Sequence, residues 1–128
     1  EAEGNLLLNE GINALWTLTC GGSETVFNNA NARIGVGDSS AAADPTQTGL
    51  QGTSTAFAGM DSGYPTFGAA QKAVFKSTFG GAVANFAWNE WTVDNGATAN
   101  KNLNRKVQNF GTKTSGETWI LTVEISIS

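Results

Sequence analysis

Histidine is missing from this sequence of 128 residues, and with it the side chain that most often serves as a catalytic base. Serine and cysteine nucleophiles usually depend on an imidazole, and most zinc sites use one as a ligand. Cysteine occurs once, as Cys20, so no disulfide can form within the sequence, which fits a protein made in a reducing cytosol. We therefore predict a protein that is not an enzyme, with no catalytic residue, no cofactor and no bound metal ion.

Charged side chains are also scarce, at 14% of the residues, and the net charge is −4. Nucleic acids and anionic membranes are bound through clusters of Lys and Arg, which an acidic and sparsely charged sequence does not supply. No stretch approaches the roughly 20 apolar residues that a membrane-spanning helix needs. We therefore expect neither a nucleic acid nor a membrane as partner.

The few carboxylates suggest two kinds of site, and their spacing argues against both. Glu90 and Asp94 would lie about 13 Å apart on a regular strand, whereas the acids of a glycosidase lie about 5 to 9.5 Å apart. Asp38, Asp44 and Asp61 fall in loops and could surround Ca²⁺, but their spacing does not match an EF-hand loop. Turn formation is the preferred role for these three residues.

What the sequence does contain is typical of β-structure. Glycine is abundant, hydrophobic residues make up 40%, and several segments alternate apolar and polar residues. We predict a mainly β protein, an antiparallel β-sandwich with a jelly-roll-like arrangement and one short N-terminal helix. Residues 1–19 would form an N-terminal contact arm that carries the helix, and residues 20–128 would form the sandwich domain.

The predicted helix rests on apolar residues spaced i, i+4, i+7 and i+8, which share one helical face. These residues are Leu8, Ile12, Leu15 and Trp16. Asn5 is a plausible N-cap, and Gly11 reduces the helix propensity by about 1 kcal/mol. Cys20 would be a small, partly buried residue at the end of the helix.

Residues 86–93 form the densest aromatic segment and predict a central strand. Strict alternation places Trp88 on one face of this strand and Trp91 on the other. Only one of them can then face a single core, and the other must meet a ligand, a second layer or a neighbouring subunit. We favour the subunit, although Trp88, Trp91 and Tyr64 together could also form an aromatic platform for a sugar.

Other strands are predicted on either side of this segment. Residues 71–79 would form a hairpin with the central strand, which would place Phe75 and Phe79 on the same sheet as the tryptophans. Residues 119–128 alternate most regularly and predict a half-buried antiparallel strand, whereas 103–107 predict a polar edge strand. Weaker strands are expected at 33–37, where Gly35 and Gly37 leave one face bare, and at 48–51.

Six segments together resemble the small virion structural proteins of tailed bacteriophages, and among these the head decoration, or cement, proteins. The segments are residues 5–11 (NLLLNEG), 32–39 (ARIGVGDS), 59–65 (GMDSGYP), 84–91 (ANFAWNEW), 103–106 (LNRK) and 118–123 (TWILTV). The resemblance implies a β-sandwich or jelly-roll domain, often trimeric, which binds the outside of the assembled capsid and joins neighbouring major capsid subunits. Such a protein would be made in the cytoplasm of the bacterial host and located on the capsid surface of the virion.

These inferences lead to one set of expected contact residues. The residues expected at an interface with another subunit or with the major capsid protein are Leu8, Ile12, Trp16, Met60, Tyr64, Trp88 and Trp91. Residues 1–12 and the loops within 38–68 are the segments expected to touch the capsid. The alternative is a carbohydrate- or receptor-binding β-sandwich module of a phage tail or fibre.

Overall fold

The computed structural model describes residues 5–127, with side-chain burial from Leu6 onward. It is mainly β, with one short helix, as the sequence predicts. The elements in chain order are β1 (Asn5–Leu7), α1 (Asn9–Thr19), β2 (Arg33–Gly37), β3 (Thr55–Gly59), β4 (Thr66–Ala69), β5 (Lys72–Phe79), β6 (Ala87–Asp94), β7 (Asn104–Thr112) and β8 (Trp119–Ser126).

The strands form two antiparallel sheets, an arrangement consistent with a β-sandwich. One sheet has five strands in the order β1-β7-β6-β2-β3, and the other has three in the order β4-β5-β8. A single apolar cluster draws buried side chains from both sheets, including Ile34 and Val93 from the first and Phe75 and Val123 from the second. Burial of this apolar surface between the sheets is the main source of stability. The jelly-roll connectivity stays a prediction.

The predicted hairpin between β5 and β6 is wrong, because these strands belong to different sheets. All eight residues of β5 pair in regular register with β8, so Phe75 lies opposite Val123 and Phe79 lies opposite Trp119. The core faces of β5 and β8 pair along their whole length, with Ser77 as the one polar residue on them, and this outweighs the short connection to β6. Residues 80–86 instead cross between the sheets, and Phe79 meets Trp88 edge-to-face with ring centroids 4.8 Å apart.

The predicted division of Trp88 and Trp91 between two environments is also wrong. Their side chains are 1% and 3% exposed and belong to the same apolar cluster. Between Trp88 and Glu90 the pairing of β6 with β7 is irregular, since β6 advances from residue 88 to 90 while β7 moves from 111 to 107. Such an irregularity re-aims side chains, so strict alternation does not apply to Trp88.

The helix is present, but it buries a different face from the predicted one. It begins at Asn9, with Leu8 rather than Asn5 at the N-cap position, and its buried residues are Gly11 and Ala14. A Cβ on Gly11 would lie 2.7 Å from the carbonyl oxygen of Asn102, so glycine allows the helix to approach the backbone there. This contact fixes the rotation of the helix and leaves Ile12 at 37% and Trp16 at 63% exposure.

The described part of the N-terminal segment is joined closely to the five-stranded sheet. Asn5–Leu7 pairs with residues 104–106 of β7, so this end of β7 is not the edge that the sequence predicts. Leu8 is fully buried, and its backbone N–H donates to the carbonyl oxygen of Leu103 at 3.1 Å. The predicted strand at 48–51 is not formed, whereas β3 and β4 were not predicted.

Candidate functional site

The outward face of β6 carries buried polar side chains, in contrast to the apolar face that packs between the sheets. Glu90, Thr92 and Asp94 alternate along this face, and each is fully buried. Trp91 and Val93 alternate with them and belong to the apolar cluster. Both faces of β6 are therefore covered, and the covering layer on the polar side is largely irregular chain.

An ion pair forms the centre of this polar layer. The Arg105 Nε donates to Glu90 Oε1 at 2.7 Å, and both side chains are fully buried. Transferring two charges from water into the interior costs several kcal/mol for each ion, so such a pair persists only with further hydrogen bonds. The neighbouring backbone supplies those bonds.

Three backbone N–H groups donate to the Glu90 carboxylate from the connection between β2 and β3. Gln51 N lies 2.9 Å from Oε1, and Gly52 N lies 2.8 Å from Oε2. Ser39 N lies 3.4 Å from Oε2 and makes a weaker contact. Each carboxylate oxygen thus binds chain that is distant from Glu90 in sequence.

The predicted bare-glycine face of β2 makes room for this arrangement. Gly37 pairs with Glu90, and a Cβ there would collide with the carboxylate. Gly35 pairs with Phe57, whose ring occupies the space that a side chain would take. A larger residue at position 37 would displace the carboxylate from its backbone donors.

Arg105 holds the same connection from a second direction. Its Nη1 donates to the carbonyl oxygen of Ala41 at 2.9 Å and to Gln47 Oε1 at 3.3 Å. Among residues 5–127, the remaining nitrogen, Nη2, is the one buried side-chain polar atom without a partner. The guanidinium therefore links β7 to the connection between β2 and β3.

We call residues 38–54 the anchored loop, because their two ends are bonded to each other and several residues between them are bonded to the sheet. At the ends, Asp38 N donates to the carbonyl oxygen of Ser54, and Ser54 N donates to Asp38 Oδ1, both at 3.2 Å. The Asn89 side chain also donates to the carbonyl oxygen of Asp38 at 3.0 Å. The loop has no regular secondary structure, yet its path is fixed by directional bonds.

A cluster of amide and hydroxyl groups extends the polar layer towards the helix. The Asn102 side chain donates to the carbonyl oxygen of Thr48 at 3.0 Å, and its backbone N–H donates to the Glu10 carboxylate. Thr92 Oγ1 lies 2.9 Å from Asn102 Oδ1 and 2.7 Å from the carbonyl oxygen of Asn104. Helix, loop and sheet are thereby connected through one buried side chain, Asn102.

A second buried carboxylate on this face is also paired with arginine. Arg33 donates two hydrogen bonds to the Asp94 carboxylate, from Nε to Oδ1 at 3.0 Å and from Nη2 to Oδ2 at 2.7 Å. The same guanidinium lies 4.1 Å from the centroid of the Phe57 ring. Glu90 and Asp94, the two acids whose spacing argues against a glycosidase pair, are thus each bound to a different arginine.

The loop aspartates each have a separate local partner. Asp44 Oδ1 accepts bonds from the backbone and the hydroxyl of Thr46, and these bonds hold the pKa of Asp44 below its usual value. Asp61 accepts from the Thr78 hydroxyl at 2.9 Å, and Asp38 accepts from Ser54. Within the described residues no three His, Cys, Asp or Glu side chains come together as a metal ion would require.

The residues predicted to form an interface do not form one surface. Leu8, Trp88 and Trp91 are buried inside the chain and expose no area to a partner, which corrects the prediction for these three. Met60 packs against the core, and Tyr64 is half-buried with Lys76 Nζ 5.4 Å from its ring centroid. Ile12 and Trp16 alone remain as large exposed side chains of the predicted set.

The ion pair that organises the site was not predicted from the sequence. A sign of it was present, because Glu90 is the one charged residue of the aromatic segment 86–93, and Arg105 alternates with Leu103 and Val107 in the next predicted strand. Charged side chains are almost never fully buried unless they are paired, so opposite charges inside two successive strands indicate a buried pair. The backbone donors of the anchored loop left no comparable sign.

An open apolar groove of about 460 Å³ lies between the helix and the end of β8. The groove is lined by residues 68–73 together with Leu15, Leu103, Ile125 and Ile127.

No helix within residues 5–127 is long and apolar enough to cross a membrane. Comparison of the chain with protein-family models, with curated proteins and with solved structures found no match.

Proposed function

We propose that this chain is a non-enzymatic structural protein of a bacteriophage virion that binds the outside of the assembled capsid and stabilises it. The observation that carries the proposal is the anchored loop, a long irregular segment held by a fully buried ion pair. Long ordered loops in small domains usually have a binding role. The choice of a capsid as partner comes from the resemblance of the six sequence segments to decoration proteins.

The placement of the charged groups supports binding in preference to catalysis. Glu90 and Asp94, the buried carboxylates of β6, are neutralised by Arg105 and Arg33. A catalytic acid or base has to reach a substrate, whereas these carboxylates face the loop and the sheet. Their geometry supports a role in holding the loop.

A protein of this kind stabilises a shell by mass action. It binds the assembled shell more tightly than the separate capsid subunits, and occupancy at 100 times Kd adds about 2.7 kcal/mol per site. A loop that is already fixed by Glu90 and Arg105 loses little conformational freedom on binding, which favours affinity. Preorganisation is therefore the contribution of the polar layer to the proposed function.

Two exposed regions are the proposed contacts with the major capsid protein. One is the outer side of the anchored loop, including Ser40 and Ala42. The other is the outer side of the helix, where Trp16 exposes 63% of its surface and Ile12 exposes 37%. An exposed tryptophan supplies a large contact area and commonly marks a binding surface.

The proposal is tested with heads that lack this protein, prepared from the phage that encodes it. Ala42→Arg changes the outer side of the loop, and Trp16→Ser changes the helix, without altering the buried ion pair. Ser115→Arg, on an exposed turn elsewhere, is the matched control. We expect wild type and the control to saturate the heads at a fixed stoichiometry, and at least one surface variant to bind about tenfold more weakly. Absence of saturable binding by the wild type would refute the proposal.

Carbohydrate binding receives less support from the structure. The sugar platform suggested for Trp88, Trp91 and Tyr64 is not assembled, since both tryptophans are buried. We expect the isolated protein to bind no glycan on an array. Glycan binding that disappears in a variant of an exposed aromatic residue, Trp16 or Phe67, would instead favour the tail or fibre module.

A further inference from the structure

Strand β8 forms a long and unprotected edge of the three-stranded sheet. It pairs with β5 along all eight residues without a bulge, and its other side has no strand neighbour among the described residues. No backbone group of Trp119–Ser126 bonds to any described residue outside the sheet. Every second residue of such an edge directs its N–H and C=O groups outward, where they can pair with another strand.

The other three edges are shorter or less regular. β1 has three residues, β3 has five and ends at Gly59, and β4 has four residues with an irregular register. Natural edges are usually protected by charges, proline or bulges. β8 carries a single charge, Glu124, which Lys72 of its own sheet neutralises at 3.2 Å.

The core-facing residues of 119–127 are symmetric in polarity about Val123. On the core face, Trp119, Leu121, Val123, Ile125 and Ile127 are all apolar. When two such segments run antiparallel about a two-fold axis at Val123, Leu121 lies opposite Ile125 of the second copy, and Trp119 lies opposite Ile127. Every directly opposite pair on that face is then apolar, and Ile127, which is 55% exposed in the single chain, gains a partner.

We propose that two copies of this chain associate by antiparallel pairing of their β8 strands, with Val123 opposite Val123 of the second copy. The two three-stranded sheets become one six-stranded sheet. On the outer face, Glu124 lies opposite Thr122 of the second copy, so no like charges face each other directly. The contact is isologous and closes with two copies.

Neighbouring registers fit less well, which makes this one specific. A two-residue shift towards the C-terminus places Glu124 directly opposite Glu124 of the second copy, where like charges repel. The opposite shift leaves Ile127 without a partner and places Ile120 against Glu124. A one-residue shift brings the outer face of one strand onto the core face of the other.

This pairing does not depend on capsid binding, and it differs from the three-fold association that the resemblance implies. A three-fold ring cannot be closed by an edge that pairs with itself, so it would have to use a different contact between the copies. The mass of the assembly in solution therefore separates the two arrangements.

The first test measures mass by sedimentation of the 128-residue chain and two variants of the exposed Thr122. We expect a concentration-dependent dimer for the wild type. Thr122→Glu places two pairs of like charges across the axis and should raise the dimer Kd about 5- to 30-fold. Thr122→Lys, the matched control, faces Glu124 of the second copy and should leave the Kd unchanged or lower it.

The second test fixes the register by crosslinking in a Cys20→Ser background. Val123→Cys lies opposite itself, at the Cα separation of about 4.4 to 6.8 Å that disulfides allow, and should form a disulfide-linked dimer on mild oxidation. Ile120→Cys should not, because the two cysteines would lie about 20 Å apart along the strands. A monomeric or trimeric wild type would overturn the proposal. Equal weakening by Thr122→Glu and Thr122→Lys, or failure of Val123→Cys to crosslink, would also overturn it.

Discussion

The two faces of β6 are both buried, and they are held by different forces. On one face Trp91 and Val93 pack into the apolar cluster between the sheets. On the other face Glu90 and Thr92 bond to irregular chain and to neighbouring strands. Apolar packing depends mainly on volume and area, whereas a buried polar layer depends on each donor and acceptor being in place. The comparison shows how one strand can support both a core and a fixed loop.

This difference matters because a buried ion pair is not in itself a strong source of stability. Replacing both partners with well-packed apolar residues is often neutral, whereas removing one partner leaves an uncompensated charge. The Glu90–Arg105 pair therefore serves chiefly to specify the path of the anchored loop. Four single substitutions follow in order of decreasing effect, and two of them, Glu90→Gln and Ile34→Val, compare the polar and apolar sides of β6 directly.

Glu90→Gln is expected to have the largest effect, although it changes almost no volume. It leaves the fully buried Arg105 guanidinium without its counter-charge, which should lower the free energy of unfolding by about 3 to 5 kcal/mol. Urea unfolding followed by tryptophan fluorescence measures this loss. Glu124→Gln, at a partly exposed ion pair, is the control and should cost at most about 1 kcal/mol.

The double variant Glu90→Gln/Arg105→Met sharpens this result. If the pair acts as a unit, the double variant should lose less stability than the sum of the two single losses, by about 0.5 to 3 kcal/mol. Strict additivity would contradict direct coupling between the two buried side chains.

Gly11→Ala is expected to have the next largest effect, although alanine is the better helix former. The new Cβ would meet the backbone of Asn102 and Leu103, which cannot move without disturbing Asn102. We expect a loss of about 1 to 3 kcal/mol in urea unfolding. Ile12→Ala, on the exposed side of the same helix, is the control and should change stability by less than about 1 kcal/mol.

Ile34→Val tests the apolar side with a change of one methylene group. Ile34 is fully buried in the cluster and pairs with Val93. Packing there should relax in part, and the loss should be about 0.5 to 1.5 kcal/mol. A loss as large as that of Glu90→Gln would remove the proposed contrast between the two faces of β6.

Asp44→Asn should have the smallest effect, and the effect should depend on pH. The Thr46 hydroxyl and backbone N–H lower the pKa of Asp44 from its usual value of 3.8. A group whose pKa is lower in the folded state stabilises that state above the unfolded pKa, and this contribution is lost as the pH falls through the folded pKa. Wild type should therefore be slightly more stable than the variant at neutral pH, and the difference should shrink below about pH 4. A difference that grows on acidification would contradict this sign.

Prediction from sequence succeeded where a strand is regular. β5 and β8 alternate without interruption, and the structure confirms both strands and the half-buried character of β8. It failed where a distant contact decides the outcome. The register irregularity at Trp88 depends on β7, and the rotation of the helix depends on the contact between Gly11 and the backbone of Asn102. Neither partner is near its counterpart in sequence.

The candidate site was the hardest part to predict. Its donors at positions 39, 51 and 52 are backbone N–H groups, which any residue except proline supplies, so the side chains there give no sign of the bonds. Gly37 was the most informative position, because a bare face on β2 indicates a close neighbour. The bare face predicted a backbone or an aromatic ring as that neighbour; the structure has the Phe57 ring at Gly35 and the Glu90 carboxylate at Gly37.

Hydrogen exchange at the backbone amides of Gln51 and Gly52 tests the central claim most directly. These amides lie in irregular chain, so strong protection in the wild type requires the bonds to Glu90 that the structure describes. We predict that both amides are protected and that Glu90→Gln greatly accelerates their exchange, while β5 amides such as Phe75 keep most of their protection. Rapid exchange of Gln51 and Gly52 in the wild type would contradict the claim that a buried ion pair fixes the loop.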